Sequence, residues 1–218
     1  MFSVNEGANQ RSNQFSPYLR AGVQLVDFQY TGDPSELSGT SSLAFTGAAA
    51  QIAYESGGLN LILALGNNLT QLDNRRYFNL NLNFTNPFYF LGNENFSAGI
   101  PVKLETKLTS VRSDVISEGF SQTNLSAGAG LIVRAEVPQK FGISTQLIPS
   151  IGFSTASGGF IGGNVFSLSG KARINFYELI FGKNISLGYD YNFDSYNIDG
   201  EEYDYDFAGH SLTIGISL

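Results

Sequence analysis

The sequence predicts an all-β fold: a closed antiparallel up-and-down transmembrane β-barrel of about ten strands, with eight strands as the alternative. Three observations lead to this prediction. Apolar and polar residues alternate with a period of two along most of the chain. The alternating segments have the length that a tilted membrane strand requires. The connections between these segments are alternately short and long, as in barrels that have two unlike ends.

The composition of the 218 residues fits one barrel domain and excludes several classes of protein. Only 14% of residues are charged, against roughly 25% in an average soluble domain, while 25 Gly, 18 Phe and 11 Tyr favour strands and tight turns. The net charge of -7 argues against nucleic acid as a partner. We expect residues 1–14 to form a flexible mature N-terminus without its export signal, and 15–218 to form the barrel.

Alternation is clearest over residues 78–84. Four apolar side chains face one side (Phe78, Leu80, Leu82 and Phe84) and three asparagines face the other (Asn79, Asn81 and Asn83). A helix cannot separate these residues in this way, because its side chains repeat every 3.6 residues. The same pattern continues through 98–108 and 125–137, so these segments are predicted to be strands as well.

Ten strands follow from this pattern, with boundaries good to a few residues. They are about 16–30, 43–55, 58–66, 76–88, 97–110, 123–137, 142–155, 164–177, 184–194 and 205–218. Tight turns near 56–58, 92–95, 138–142 and 182–184 alternate with longer polar loops at 31–42, 67–75, 111–122, 156–163 and 195–204. An outer-membrane barrel has this asymmetry, with the turns periplasmic and the loops extracellular.

Alternation alone also fits a soluble, lipocalin-like barrel, whose apolar face points inward. The polar face of this chain is rich in Gly, Ser and Asn and holds both charges at close spacing, which favours an interior network. The sequence therefore predicts a lumen filled by polar side chains. The predicted set is Arg20, Gln24, Glu55, Asn79, Asn81, Asn83, Lys103, Glu105, Lys107, Arg134, Glu136, Lys171, Arg173, Asn175 and Asp190.

The alternation, the loop asymmetry and the final strand at 212–218 together resemble the small bacterial outer-membrane barrels of the OmpA and opacity-protein type. This resemblance implies a location in the bacterial outer membrane, with periplasmic termini and extracellular loops. It also implies contact with outer-membrane lipid and lipopolysaccharide, and makes another envelope protein a candidate partner.

Two features are candidate sites of chemistry. His210 is the only histidine, and we expect it to face outward near the loop end rather than to act in catalysis. The acidic residues Asp199, Glu201, Glu202, Asp204 and Asp206 form a candidate loop for a hard cation or a partner. A hairpin with solvated carboxylates is the favoured interpretation of this loop. No catalytic residue, metal site or cofactor is predicted.

The leading functional hypothesis is a structural or adaptor subunit, or a surface-binding protein, with a lumen plugged by side chains. The alternative is a narrow channel for ions or small polar solutes. A surface enzyme is the third hypothesis.

Overall fold

The computed structural model describes residues 17–31, 44–66, 75–113, 119–156, 161–198 and 204–218. The segment 1–14, predicted to be flexible, lies outside these ranges. Eleven strands are present in the described residues. They are β1 (Tyr18–Tyr30), β2 (Phe45–Glu55), β3 (Leu59–Gly66), β4 (Arg75–Gly92), β5 (Phe96–Ser113), β6 (Gly119–Ala129), β7 (Leu131–Val137), β8 (Phe141–Ala156), β9 (Ile161–Ile180), β10 (Lys183–Ile198) and β11 (Tyr205–Ser217).

The strands form a closed antiparallel ring. Apart from β6 and β7, the described strands that follow one another in sequence are paired, and β1 pairs with β11 from Tyr18↔Ser217 to Tyr30↔Tyr205. β6 and β7 both pair with β5 and with β8, so they are two halves of one member of the ring. The ring therefore has ten members, which confirms the predicted closed up-and-down barrel.

Gly130 divides the predicted strand 123–137 into β6 and β7. Its N–H donates a hydrogen bond to the carbonyl oxygen of Pro101 at 3.2 Å. A Cβ atom at this position would lie 1.9 Å from the carbonyl oxygen of Leu147, so only glycine fits between the neighbouring strands. Strand continuity is interrupted here without opening the barrel.

The barrel has two unlike ends. At the turn end, short connections at 56–58, 93–95, 138–140 and 181–182 join the strands. Phe181 and Gly182 have φ angles of 50° and 70°, as a two-residue hairpin turn requires. At the loop end, the connections include segments outside the described residues.

The outer wall is apolar over a band that reaches the turn end. Phe84, Leu104, Ile151 and Leu212 are exposed, whereas the asparagines that alternate with Phe84 on β4 are buried inside. No helix among the described residues is long and apolar enough to cross a membrane. A closed sheet with an apolar outside satisfies its backbone internally and suits a hydrocarbon environment, so the barrel is of the transmembrane type.

Candidate functional site

The lumen is the candidate site, because inward side chains from all parts of the ring converge there. Glycine at inward positions makes room for the largest of them. A Cβ atom on Gly188 would lie 3.0 Å from Nη1 of Arg173 and 3.1 Å from Nη1 of Arg20, and one on Gly215 would lie 2.9 Å from Cγ of Arg20. The two arginines therefore lie along the inner faces of β10 and β11.

The first group of lumen residues, the turn-end cluster, consists of Arg20, Glu55, Lys171, Arg173 and Asp190. Three cations meet the Glu55 carboxylate: Lys171 at 3.1 Å, Arg173 at 3.0 Å and Arg20 in a direct ion pair. Arg173 also pairs with Asp190 at 2.8 Å. Because β1, β2, β9 and β10 supply these side chains, the cluster joins separate parts of the wall.

The second group, the middle cluster, consists of Asn81, Lys103 and Glu105. Nζ of Lys103 lies 3.2 Å from the Glu105 carboxylate. The Asn81 amide donates a hydrogen bond of 2.9 Å to the same carboxylate. Lys103 also donates to the hydroxyl of Ser169 at 3.0 Å, so this cluster reaches from β4 and β5 to β9.

Lys107 and Asp194 form a further ion pair inside the barrel. Asp194 also accepts a hydrogen bond of 2.6 Å from Ser167, and Nζ of Lys107 lies 4.1 Å from the centre of the Phe207 ring. Asp194 is not in the predicted lumen set, although the predicted strand 184–194 includes it. Extending the alternation from Asp190 by two more steps would have placed it there.

The loop-end half of the lumen is filled by the aromatic cluster of Phe28, Tyr77, Phe120, Tyr196, Tyr205 and Phe207, all nearly inaccessible. The rings of Phe28 and Tyr205 stack with centroids 4.6 Å apart. Phe120 packs edge-on against Tyr205 at 4.9 Å. This cluster is absent from the predicted lumen set, because the prediction places apolar residues on the lipid side along the whole strand. At this end the pattern inverts, and Asp27 and Gln29 face outward instead.

A half-open cavity lies at the turn end, beside the turn-end cluster. Its charged lining consists of Arg20, Glu55, Arg134, Glu136, Lys171 and Arg173. The Arg134 guanidinium lies 5.2 Å from the centre of the Tyr89 ring, and Tyr177 donates a hydrogen bond of 3.4 Å to Glu136. Eleven of the predicted lumen residues lie on the inner wall, in several groups rather than in one: Arg20, Glu55, Asn81, Lys103, Glu105, Lys107, Arg134, Glu136, Lys171, Arg173 and Asp190.

The candidate cation or partner loop falls largely outside the described residues, since only Asp204 and Asp206 of its five members are described. Asp204 accepts a hydrogen bond of 2.8 Å from the backbone N–H of Ile198. Among the residues that the structure describes, no group of three or more His, Cys, Asp or Glu side chains could hold a metal ion.

His210 faces outward. Its Nδ1 lies 2.8 Å from the hydroxyl of Tyr189, and its ring centre lies 5.0 Å from that of Tyr191. His210 pairs with Leu25, which lies two residues from Asp27 on the same outward face of β1. This small aromatic patch is therefore near the polar rim at the loop end. Tyrosine and histidine rings suit the headgroup level of a bilayer.

No family model matches the sequence, and no curated protein matches it. Solved structures that resemble the fold are outer-membrane barrels. The outer-membrane protease OmpT from Escherichia coli shares 7% identity over 92% of this chain and 95% of its own, with a TM-score of 0.48. Neisserial surface protein A shares 10% identity over 93% and 97%, with a TM-score of 0.34.

The attachment invasion locus protein Ail of Yersinia pestis, solved with the heparin analogue sucrose octasulfate, shares 12% identity over 94% of this chain and 99% of its own, with a TM-score of 0.32. These likenesses concern the fold alone. The chain is similar in architecture to outer-membrane β-barrels, and its own closed ring and apolar outer wall are the grounds for placing it in that structural class.

Proposed function

We propose that this protein is a structural or adaptor subunit of the bacterial outer membrane, whose lumen is closed by its own side chains. The observation that supports this function most strongly is the series of side-chain clusters across the lumen. Ion pairs join β5 to β10 and β1 to β2, and aromatic rings fill the loop-end half. Because these contacts hold separate parts of the wall together, they favour a function as a rigid membrane anchor.

The two unlike ends of the barrel support an orientation in the membrane. Short turns are periplasmic and long loops extracellular in outer-membrane barrels, so the turn end would face the periplasm, together with both ends of the barrel sheet. The apolar band would contact outer-membrane lipid, and lipopolysaccharide would contact its loop-end rim. A second envelope protein would bind the loops or part of the outer wall.

Catalysis is not part of this proposal. Among the described residues, His210 contacts Tyr189 and Tyr191 and no carboxylate. A triad of the serine-hydrolase kind needs a histidine that an acid orients beside a nucleophile. His210 points to the outside of the wall instead.

Single-channel recording in planar bilayers tests the closed lumen against the alternative of a narrow channel. We expect the purified protein to insert without steady openings at neutral pH, because buried ion pairs and packed rings block the lumen in series. Steady openings would favour the channel and contradict the adaptor function. Copurification from membranes with a defined complex, at constant stoichiometry, would then identify the partner.

A further inference from the structure

The turn-end cavity holds more positive than negative charge. Among the described residues, four basic side chains line it, Arg20, Arg134, Lys171 and Arg173, against the two carboxylates of Glu55 and Glu136. Asp190 pairs with Arg173 and adds a third carboxylate. One cation is still in excess. We propose that this cavity binds an oxyanion of the carboxylate or phosphate type beside Lys171.

The side chains around the cavity are organised to hold such a group. Arg20 is only 3% exposed, and its Nη1, which has no hydrogen-bond partner among the described residues, lies against the inner wall beside Gly188 and Gly215. Three cations already hold one carboxylate here, that of Glu55. An oxyanion on the exposed side of Lys171 would accept charge-assisted hydrogen bonds of the same kind.

The charged side chains of this site differ in their exposure to water. The side chains of Lys171 and Glu55 are 17% and 19% exposed, whereas those of Arg20 and Arg173 are 3% and 6% exposed. Neutral polar residues continue the wall, since Gln146 pairs with Lys171 and Ser144 with Arg173 in the β8–β9 ladder. Because β9 runs towards the turn at 181–182, Ser144 and Arg173 lie nearer the turn end than Gln146 and Lys171. An anion that enters from that end would pass them before it reaches Lys171.

The site would hold its ligand rather than conduct it. Beyond the cavity, Lys103 and Glu105 are buried and paired, and the Lys107–Asp194 pair and the aromatic cluster follow. An anion would therefore enter and leave by the same end. This inference goes beyond the adaptor function and does not depend on it, because a closed barrel could bind or lack such a ligand.

Titration calorimetry with inorganic phosphate tests the proposal, using the purified protein in a zwitterionic detergent at constant ionic strength. We expect saturable binding to the wild type. Lys171→Gln and Arg134→Gln should each weaken it by about tenfold, the loss that removal of a charged hydrogen-bond partner produces. Lys140→Gln is the matched control, because Lys140 is exposed in a turn at the same end of the barrel. It should bind like the wild type.

Glu55→Gln provides a test of opposite sign. Removing the internal carboxylate frees three cations, so phosphate should bind at least about tenfold more tightly. A soluble short-chain phosphatidylglycerol in place of phosphate distinguishes a lipid headgroup from a free anion: tighter binding that Lys171→Gln abolishes would assign the site to headgroups. The absence of binding below about 10 mM phosphate, or equal binding by the Lys171 and Lys140 variants, would overturn the proposal. Each variant must first show the heat-dependent gel mobility of a folded barrel.

Discussion

Lys107 on β5 and Asp194 on β10 form an ion pair across the lumen, between strands that three other members of the ring separate. Both residues are almost fully buried, and Ser167 and the Phe207 ring complete their surroundings. Taking two charges out of water is costly unless each finds a partner. The pair therefore ties opposite sides of the wall together only while both members are present.

Removing one member of this pair should destabilise the barrel strongly. Asp194→Ala leaves the Lys107 ammonium buried beside an aromatic ring, and we expect a loss of about 3–5 kcal/mol in the free energy of unfolding. Glu94→Ala, in an exposed turn, should change it by less than about 0.5 kcal/mol. Urea unfolding in detergent, followed by gel mobility, measures both. Equal midpoints for the two variants would show that Asp194 is not buried in the lumen.

The aromatic cluster contributes stability and forms one of several barriers. Phe120→Ala removes a ring that packs against Phe28, Tyr196 and Tyr205. We expect it to lower the unfolding free energy by about 3 kcal/mol or more, as for other buried Phe→Ala changes. Bilayer recordings should nevertheless show no openings, because the Lys107–Asp194 pair still blocks the lumen. Openings caused by Phe120→Ala alone would mean that the rings are the only barrier.

Glycine at position 188 makes room for the turn-end cluster. A Cβ atom there would lie 2.5 Å from Oγ1 of Thr213 and close to both arginines. Gly188→Ala should therefore cost about 1–3 kcal/mol through overpacking. Gly170→Ala is the control, since its Cβ would meet no atom closer than 3.6 Å. Urea midpoints compare the two, and an unchanged Gly188→Ala variant would contradict the described packing of Arg20 and Arg173.

The effect of a charged substitution on the outer wall should depend on its depth in the bilayer. Leu104 is 56% exposed near the middle of the outer face of β5, where an arginine costs roughly 2–4 kcal/mol in a bilayer. Gln29 also faces outward, but at the polar rim of the loop end. We expect Leu104→Arg to impair assembly into lipid vesicles and Gln29→Arg to assemble normally. Equal assembly yields would argue against Leu104 lying in the hydrocarbon layer.

Much of the fold could be predicted because the alternation is regular over the turn-end half of each strand. Asn79, Asn81 and Asn83 are buried and alternate with outward residues that include Leu80 and Phe84, as the pattern indicates. The break at Gly130 could not be predicted, since it arises from the approach of the Leu147 carbonyl on a neighbouring strand. Alternation defines the two faces of a strand, but it does not predict where the backbones of neighbouring strands approach closely.

The site was harder to predict for a related reason. Near the loop end, Phe28 and Tyr205 face inward while Asp27 and Asp206 face outward or lie at the rim, so polarity no longer marks the lumen side. These positions are assigned correctly only if every second residue is counted along the strand from the turn end. The pairing of three cations on Glu55 also depends on how strands far apart in sequence face one another across the lumen.

The apolar face of this closed barrel contacts lipid, and its polar face lines a filled lumen. Carbene photolabelling distinguishes the two faces, with a reagent confined to the bilayer, the unaltered protein in vesicles and residue-level mapping by mass spectrometry. On β4 we predict labelling of the outward residues Leu80 and Phe84, with Asn79, Asn81 and Asn83 unlabelled. Labelling of the asparagines, or none along this strand, would contradict the account.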